Sequence, residues 1–109
     1  MAPDEAWIST EAAVAIPHPE PLTFCHILVA PRRHVRAFYD LDVEEQRLVW
    51  DLVSDVRTRV ASALKVHGFE VGFQDGSCDD EGHTHIHVVP RSPGERISLP
   101  GGVEWVHSE

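Results

Sequence analysis

Three histidines stand at every second position of residues 82–90, which read Gly-His-Thr-His-Ile-His-Val-Val-Pro, and they are the side chains most suited to chemistry. Because side chains alternate between the two faces of a β-strand, this spacing predicts a strand with His83, His85 and His87 on one face. The other face would carry a β-branched row suited to packing on a core: Thr84, Ile86 and Val88. Alternate imidazoles would lie roughly 6.6 Å apart, so they could contact different parts of one ligand.

Three interpretations of this histidine strand are open from the residue types alone. Neutral imidazole is the commonest metal ligand, so His83, His85 and an acidic residue could hold a catalytic zinc ion with water in the fourth position. Alternatively, one imidazole could attack an electrophile while its neighbours orient it and protonate the leaving group. The third interpretation is a set of surface histidines, although strict alternation with an apolar opposite face is unusual for such a set.

The elements that must position this strand can be read from apolar runs and turn residues. Residues 12–16 form a short apolar run ended by a proline, and residues 25–31, which contain His26, form a second. Their connection is too short for a helical crossover, so the two predicted strands should pair antiparallel. Residues 69–74 predict a further strand shortly before the histidine strand.

A long amphipathic helix is predicted from Asp42 to His67, with Gly68 ending it. Asp42 can accept from the exposed amides of the first turn, and Glu45 three residues later completes a capping-box pattern. Apolar residues recur at three- and four-residue spacings and form one stripe that is predicted to be core: Val49, Leu52, Val53, Val56, Val60, Ala63 and Leu64.

Together these elements predict an α+β fold, with an antiparallel sheet of about five strands, one long capped helix on its apolar face and an open histidine face. The 109 residues, 42% of them hydrophobic and 25% charged, suffice for one domain over residues 1–109 and not for two. From about Arg91 the chain is rich in proline and glycine and ends in an extended segment around Trp105. We expect this tail to dock on the sheet edge or on a second subunit.

Charge and composition narrow the class of partner. The net charge of −9 argues against a nucleic-acid-binding surface, although local arginines could still hold a small anion. No apolar run could span a membrane and no secretory signal is visible, so we expect a cytoplasmic protein without membrane contact. Cys25 and Cys78 lie outside any Cys-x-x-Cys spacing and fit reduced thiols better than a disulfide framework.

The segment His83-Thr84-His85-Ile86-His87-Val88-Val89 resembles the motif of the histidine triad (HIT) family, in which three alternating histidines precede two apolar residues. Residues 26–31, His-Ile-Leu-Val-Ala-Pro, look like the earlier histidine strand of that family, and Gln74-Asp75-Gly76 looks like the segment before the triad. Residues 101–105 are similar to endings common in small bacterial members. The resemblance covers roughly residues 14–105, nearly the whole chain.

This resemblance implies hydrolysis or transfer at the α-phosphate of a nucleotide, with no cofactor required. His85 looks like the nucleophile that forms a nucleotidyl-histidine intermediate, and His87 like the group that contacts the phosphate and helps the leaving oxygen depart. His83 and His26 look like supporting imidazoles, and Gln74 like a phosphate or ribose contact. Transfer of this type requires mostly positioning and charge stabilisation, which a rigid strand supplies.

Several residues near the triad bear on the branch of the family. Uridylyltransferase relatives carry glutamine at the third triad position, whereas His87 is what hydrolase branches carry. Gln74 favours the fragile-histidine-triad branch, whose substrates are dinucleoside polyphosphates, over the phosphoramidase branch. Ile16 and Leu28 match apolar positions that line the nucleoside pocket in relatives, and ordinary core packing is the alternative for both.

The sequence departs from the family pattern in three places. His18 stands where relatives usually carry Asp or Asn to hold the ribose, and Cys25 replaces the glycine that commonly precedes the strand histidine. The loop between Gln74 and His83 is short and lacks the usual Gly-Gln-Ser/Thr stretch, which predicts weaker or altered recognition of the leaving group. Its acidic residues 79–81 could hold a divalent cation on a polyphosphate, or could simply be solvated.

A histidine-triad hydrolase acting on a purine nucleotide is therefore the leading hypothesis. The alternative is a nucleotide-binding HIT protein with little or no catalysis, which the altered loop would favour. The family's mode of pairing and the unshielded tail also predict a homodimer, with Trp105 near the neighbour's site or at the interface.

Overall fold

The computed structural model describes residues 7–74, 84–92 and 104–108, which form an antiparallel sheet with one helix on one face. In chain order the elements are β1 (Ile8–Ser9), β2 (Ala13–Pro17), β3 (Ile27–Pro31), a 3-10 turn (Phe38–Asp40), α1 (Val43–Ala63), β4 (Gly68–Gln74), β5 (His85–Arg91) and β6 (Glu104–Ser108). The six strands lie in the order β1-β2-β3-β5-β4-β6. The predicted α+β fold is confirmed, and the additional strand is the two-residue β1, which pairs with β2.

Opposite faces of the sheet have different environments, as the alternation in the histidine strand predicts. One face packs on α1 and forms the core, with contributions from Ala13, Ala15, Ile27, Val29, Val71, Ile86 and Val88 of the sheet and Val49, Leu52, Val53, Val56 and Val60 of the helix. Ile86 is 1% exposed and Val88 is 0% exposed. Because a strand cannot slip by one residue without moving these side chains into solvent, their burial holds His85 and His87 on the opposite face.

Helix α1 begins as predicted and ends earlier than predicted. The Asp42 carboxylate accepts from the Glu45 amide at 2.8 Å, and the Glu45 carboxylate accepts from the Asp42 amide at 3.3 Å. The predicted end at His67 is wrong, since the helix ends at Ala63 and Leu64 is extended, with φ −125° and ψ 151°. Gly68 instead begins β4.

The early end of α1 has a physical cause in the core. Leu64 and Val66 pack against the buried cluster, and the His67 amide donates to the Arg91 carbonyl at 2.5 Å. These contacts return the chain to the sheet within a few residues. Ala63, predicted to belong to the apolar stripe, is exposed.

Residues 104–108 dock on the edge of the sheet, which confirms one of the two alternatives for the tail. Strand β6 pairs antiparallel with β4, with Trp105 opposite Gly72 and Val106 opposite Val71. Trp105 therefore contacts its own chain's site face, where its ring lies beside His87. Among the described residues, no helix is long and apolar enough to cross a membrane.

Cys25, which stands where the resemblance predicts a glycine, adopts a left-handed backbone conformation with φ 68° just before His26. This conformation costs a residue with a Cβ on the order of 1 kcal/mol and costs glycine almost nothing. The departure therefore places strain beside a site residue. The thiol forms no disulfide and is partly buried against the core.

We expect Cys25→Gly to unfold at higher denaturant concentration than Cys25→Ala, with a difference of about 1 kcal/mol in the free energy of unfolding. Both variants lose the same thiol packing, so their difference isolates the backbone effect. Equilibrium urea unfolding measures it. Equal stabilities would show that the left-handed conformation is not a source of strain.

Candidate active site

The site face brings side chains from the ends of several strands into one row. His18 follows β2 and its amide donates to the His26 carbonyl at 2.9 Å, next to β3. Strand β5 lies between β3 and β4, so His87 is opposite both Leu28 and Gly72, and His85 is opposite Gln74. The row therefore runs His18, His26, His87, and then His85 with Gln74. His83, the other predicted triad residue, lies outside the described residues.

Backbone contacts determine which nitrogen of His26 carries the proton. The Leu22 amide donates to His26 Nδ1 at 3.0 Å, so this nitrogen must be the unprotonated one. Burial, with a smaller effect from His18, lowers the pKa of His26 to about 4, and the ring is therefore neutral at pH 7. A neutral ring with a free Nδ1 lone pair has its proton on Nε2.

The same reasoning extends to His87 and Gln74. His26 Nε2 lies 3.0 Å from His87 Nδ1, so His26 donates and the His87 proton stands on Nε2. His87 Nε2 then donates to the Gln74 side-chain oxygen at 3.0 Å, and His85 Nε2 lies 3.1 Å from the same oxygen. The Leu22 amide thus orients a chain of donors whose last N–H group, that of His87, is directed at the side-chain oxygen of Gln74.

Burial keeps His87 neutral as well as oriented. Its side chain is 6% exposed, and burial followed by the nearby imidazoles of His85, His26 and His18 lowers its pKa to about 3. His26 is 2% exposed. The prediction of an open histidine face is therefore wrong for these two residues, because the segment before β3 and the ring of Trp105 lie against them. His85 is half-buried and retains access to a ligand.

His18 joins the cluster by stacking. Its ring centroid lies 4.4 Å from that of His26, with 21° between the ring planes, and 5.7 Å from that of His87. The Glu20 amide donates to His18 Nδ1 at 2.9 Å, which leaves the proton of the neutral ring on Nε2. Burial and then His85 lower the pKa of His18. His18 therefore presents a hydrogen-bond donor beside the rings of His26 and His87.

Three imidazoles this close could in principle hold a metal ion. One ligand nitrogen from each of His18, His26 and His87 lies within 4.8 Å of the others. However, backbone amides occupy Nδ1 of both His18 and His26, and their Nε2 atoms carry protons. Metal ligation requires an unprotonated nitrogen. The donor pattern of this cluster therefore favours hydrogen bonding to an anionic substrate over ligation.

Two predicted pocket residues lie on the site face and outside the helix-side core. Ile16 and Leu28 are cross-strand partners, and Leu28 is also opposite His87. Both are buried, at 7% and 9% exposure. The structure thus places them beside the histidine row, and their contact with a nucleoside stays a prediction.

Two contributions to the site were missed at the sequence level. One is the segment before His26, where Thr23 Oγ1 donates to the Pro90 carbonyl at 2.9 Å and attaches this turn to the end of β5. The other is Trp105 in its own chain's site. The pair Gly72 and Trp105 could have signalled it, because a glycine within a strand often marks a close approach by another group.

Comparison of the chain with known protein families gives a result that agrees with this arrangement of histidines. The HIT domain model matches residues 1–94 of the chain. The chain belongs to the HIT domain family.

Two relatives of the chain are bis(5′-adenosyl)-triphosphatases. A bifunctional bis(5′-adenosyl)-triphosphatase/adenylylsulfatase of Arabidopsis thaliana is 30% identical over 95 residues, which cover 85% of this chain and 53% of the relative. A bis(5′-adenosyl)-triphosphatase of Dictyostelium discoideum is 30% identical over 89 residues, covering 80% of this chain and 60% of the relative. The chain thus spans little more than half the length of these two relatives.

Solved structures show the same fold. The nitrilase and fragile-histidine-triad fusion protein NitFhit of Caenorhabditis elegans superposes with a TM-score of 0.78 at 26% identity, covering 91% of this chain and 24% of that one. A HIT-like protein of Bartonella henselae superposes with a TM-score of 0.76 at 22% identity, covering 92% of this chain and 74% of that one. Because the identity to the Bartonella henselae protein is only 22%, this similarity supports the fold alone.

Proposed function

We propose that the protein is a nucleotide hydrolase that cleaves dinucleoside polyphosphates at an α-phosphate through a nucleotidyl-histidine intermediate. The observation that carries this proposal is the donor chain from the Leu22 amide through His26 to His87, which ends beside the accessible His85. Membership in the HIT family and two triphosphatase relatives support the substrate class. The substrate is a purine nucleotide.

In the first step a ring nitrogen of His85 attacks the α-phosphorus. A nitrogen–phosphorus bond forms while the bond from the α-phosphorus to the bridging oxygen breaks, and the leaving nucleotide departs with that electron pair. The Nε2–H group of His87 donates a hydrogen bond to the bridging oxygen, whose negative charge grows as the bond breaks. Water then attacks the same phosphorus, and the imidazole of His85 is released with a nucleoside monophosphate.

Gln74 has a distinct place in this scheme. Its oxygen accepts hydrogen bonds from His85 and His87 at 3.1 and 3.0 Å. A phosphate oxygen of the substrate would accept the same two hydrogen bonds in place of the Gln74 oxygen. We infer that the carboxamide moves aside when a nucleotide binds and then contacts the phosphate or ribose. His18, as a donor, would contact an acceptor oxygen of the same ligand, while Ile16 and Leu28 line the nucleoside pocket.

The chemistry assigned here needs no cofactor, since imidazoles provide both the nucleophile and the donor. A divalent cation would enter only with the polyphosphate of the substrate. We propose a cytoplasmic protein and a homodimer. Three exposed apolar side chains lie on β6 or close to it, Val106, Trp50 and Tyr39, and they support an interface with a second copy, which light scattering tests.

The experiment that tests this function is intact-protein mass spectrometry after brief mixing with diadenosine triphosphate. We expect a transient mass increase of one adenylyl group on the wild-type protein, with peptide mapping to His85. Adenosine 5′-phosphoramidate in a parallel reaction tests the phosphoramidase branch. Binding of adenosine monophosphate without any adduct or turnover would support the alternative, a nucleotide-binding HIT protein with little catalysis.

A further inference from the structure

Thr23 belongs to the turn that precedes His26, and the scheme above gives it no part. The His26 amide closes this turn by donating to the Thr23 carbonyl at 3.2 Å. The same turn presents the Leu22 amide to His26 Nδ1 at 3.0 Å. Because the position of that amide determines which nitrogen of His26 is protonated, the contacts that hold the turn also govern the order of protons along the histidine row.

The other side chains of this turn hold it weakly. Leu22 and Phe24 are exposed, whereas Thr23 is 8% exposed. Cys25 packs against the core, but its left-handed backbone conformation offsets part of the stability that this packing contributes. Thr23 is therefore the side chain best placed to hold the turn.

The hydroxyl of Thr23 joins the turn to β5, the strand that carries the described triad residues. It donates to the Pro90 carbonyl at 2.9 Å, and this hydrogen bond is buried. The pairing of β3 with β5 ends at Ile27 and Val88, so the Pro90 carbonyl lies beyond the last paired residues of these two strands. The hydroxyl thus takes the place of a backbone donor just past the end of that pairing.

Loss of this anchor would free the chain of hydrogen bonds to reverse. If the Leu22 amide moved away, His26 could carry its proton on Nδ1, a position that the amide N–H now excludes. His26 Nε2 would then accept from His87 Nδ1, and His87 Nε2 would present a lone pair instead of an N–H group. In that arrangement His87 has no donor for the bridging oxygen.

We propose that Thr23 is a positioning residue, whose hydroxyl anchors the turn to Pro90 and so keeps the imidazoles of the row in the proton arrangement that the reaction uses. Thr23 acts through the Leu22 amide and not by contact with the substrate. Its effect on the rate rests on the proposed function, whereas its effect on the protons of His26 and His87 does not.

The test compares Thr23→Val, which keeps the shape of the side chain and removes the hydroxyl, with Thr23→Ser, which keeps the hydroxyl. Nitrogen-15 NMR of the imidazoles, recorded without substrate at pH 7, distinguishes protonated from unprotonated ring nitrogens. In the wild-type protein we expect His26 Nδ1 to be unprotonated and Nε2 to be protonated. In Thr23→Val both signals should move towards intermediate values as two tautomers exchange, and Thr23→Ser should restore the wild-type pattern.

The rate gives a second, quantitative readout. If only molecules with the productive proton arrangement react, kcat/KM for diadenosine triphosphate should fall in proportion to the fraction that retains it. We expect Thr23→Val to lose about 5-fold, comparable with the contribution of one neutral hydrogen bond. Thr10→Val is the matched control, because it removes a hydroxyl that donates to the Ala13 carbonyl at 3.0 Å, at the end of β2 remote from His18. It should change neither readout.

Thermal midpoints establish that each variant is folded, and Thr23→Ala replaces Thr23→Val if valine is not tolerated. A wild-type imidazole spectrum in a folded variant without the hydroxyl would overturn this inference alone. A loss of activity that Thr23→Ser does not recover would overturn it as well. Failure of the wild-type protein to cleave diadenosine triphosphate would overturn the proposed function, and the spectra would still decide whether Thr23 positions the histidine protons.

Discussion

Replacing His85 with alanine is expected to lower kcat for diadenosine triphosphate by about 10⁴-fold or more, because the reaction then lacks its nucleophile. His85 is the half-buried member of the described strand histidines, whereas His87 is buried and has its Nδ1 occupied by His26. Rates of adenosine monophosphate release, measured by chromatography, test the loss. The transient adenylyl mass should vanish together with the activity.

His67→Ala is the matched control for this variant. His67 is exposed, and its side chain lies outside the histidine row, so its removal should leave kcat within about twofold. The thermal midpoints of both variants establish that each is folded. If His85→Ala kept more than a tenth of the wild-type rate, the nucleophile would have to be sought elsewhere, and the proposed mechanism would fail.

Replacing His87 with alanine should cause a loss that depends on the leaving group. The Nε2–H group of His87 stabilises the charge that develops on the leaving oxygen, and this matters more for a basic leaving group. We expect kcat/KM to fall about 10³-fold for the phenyl ester of adenosine monophosphate and only roughly 10-fold for the 4-nitrophenyl ester, whose leaving group is less basic. Steady-state kinetics on the two esters measures the difference.

The conservative variant His87→Gln should recover part of the loss on the phenyl ester, since its side-chain amide can still donate. Removing a buried ring also disturbs packing, but a purely structural defect would slow both esters equally. An equal loss would therefore contradict the donor role of His87. A loss that grows with leaving-group basicity would support the orientation imposed by the Leu22 amide.

Local pattern was sufficient to predict much of the scaffold. Alternation along residues 84–88 predicted which side chains face the core, and Ile86 and Val88 are buried there. The Asp42 cap was predicted correctly because a capping box depends on residues only three positions apart. The end of the helix was predicted incorrectly, because contacts of Leu64 and Val66 with distant parts of the chain outweigh the local helix propensity.

By itself the sequence determined the α+β class and the face shared by His85 and His87, since both follow from the periodicity of apolar residues. It also determined the family, because the histidine motif is contiguous in the chain. Only the tertiary structure decided the protonation pattern of the histidines and the place of Trp105. The first depends on the Leu22 amide, which no side-chain pattern encodes, and the second on the pairing of β6 with β4. Both arise from contacts between segments that are brought together only when the sheet forms. The energies of such long-range contacts cannot be predicted from the sequence of any one segment.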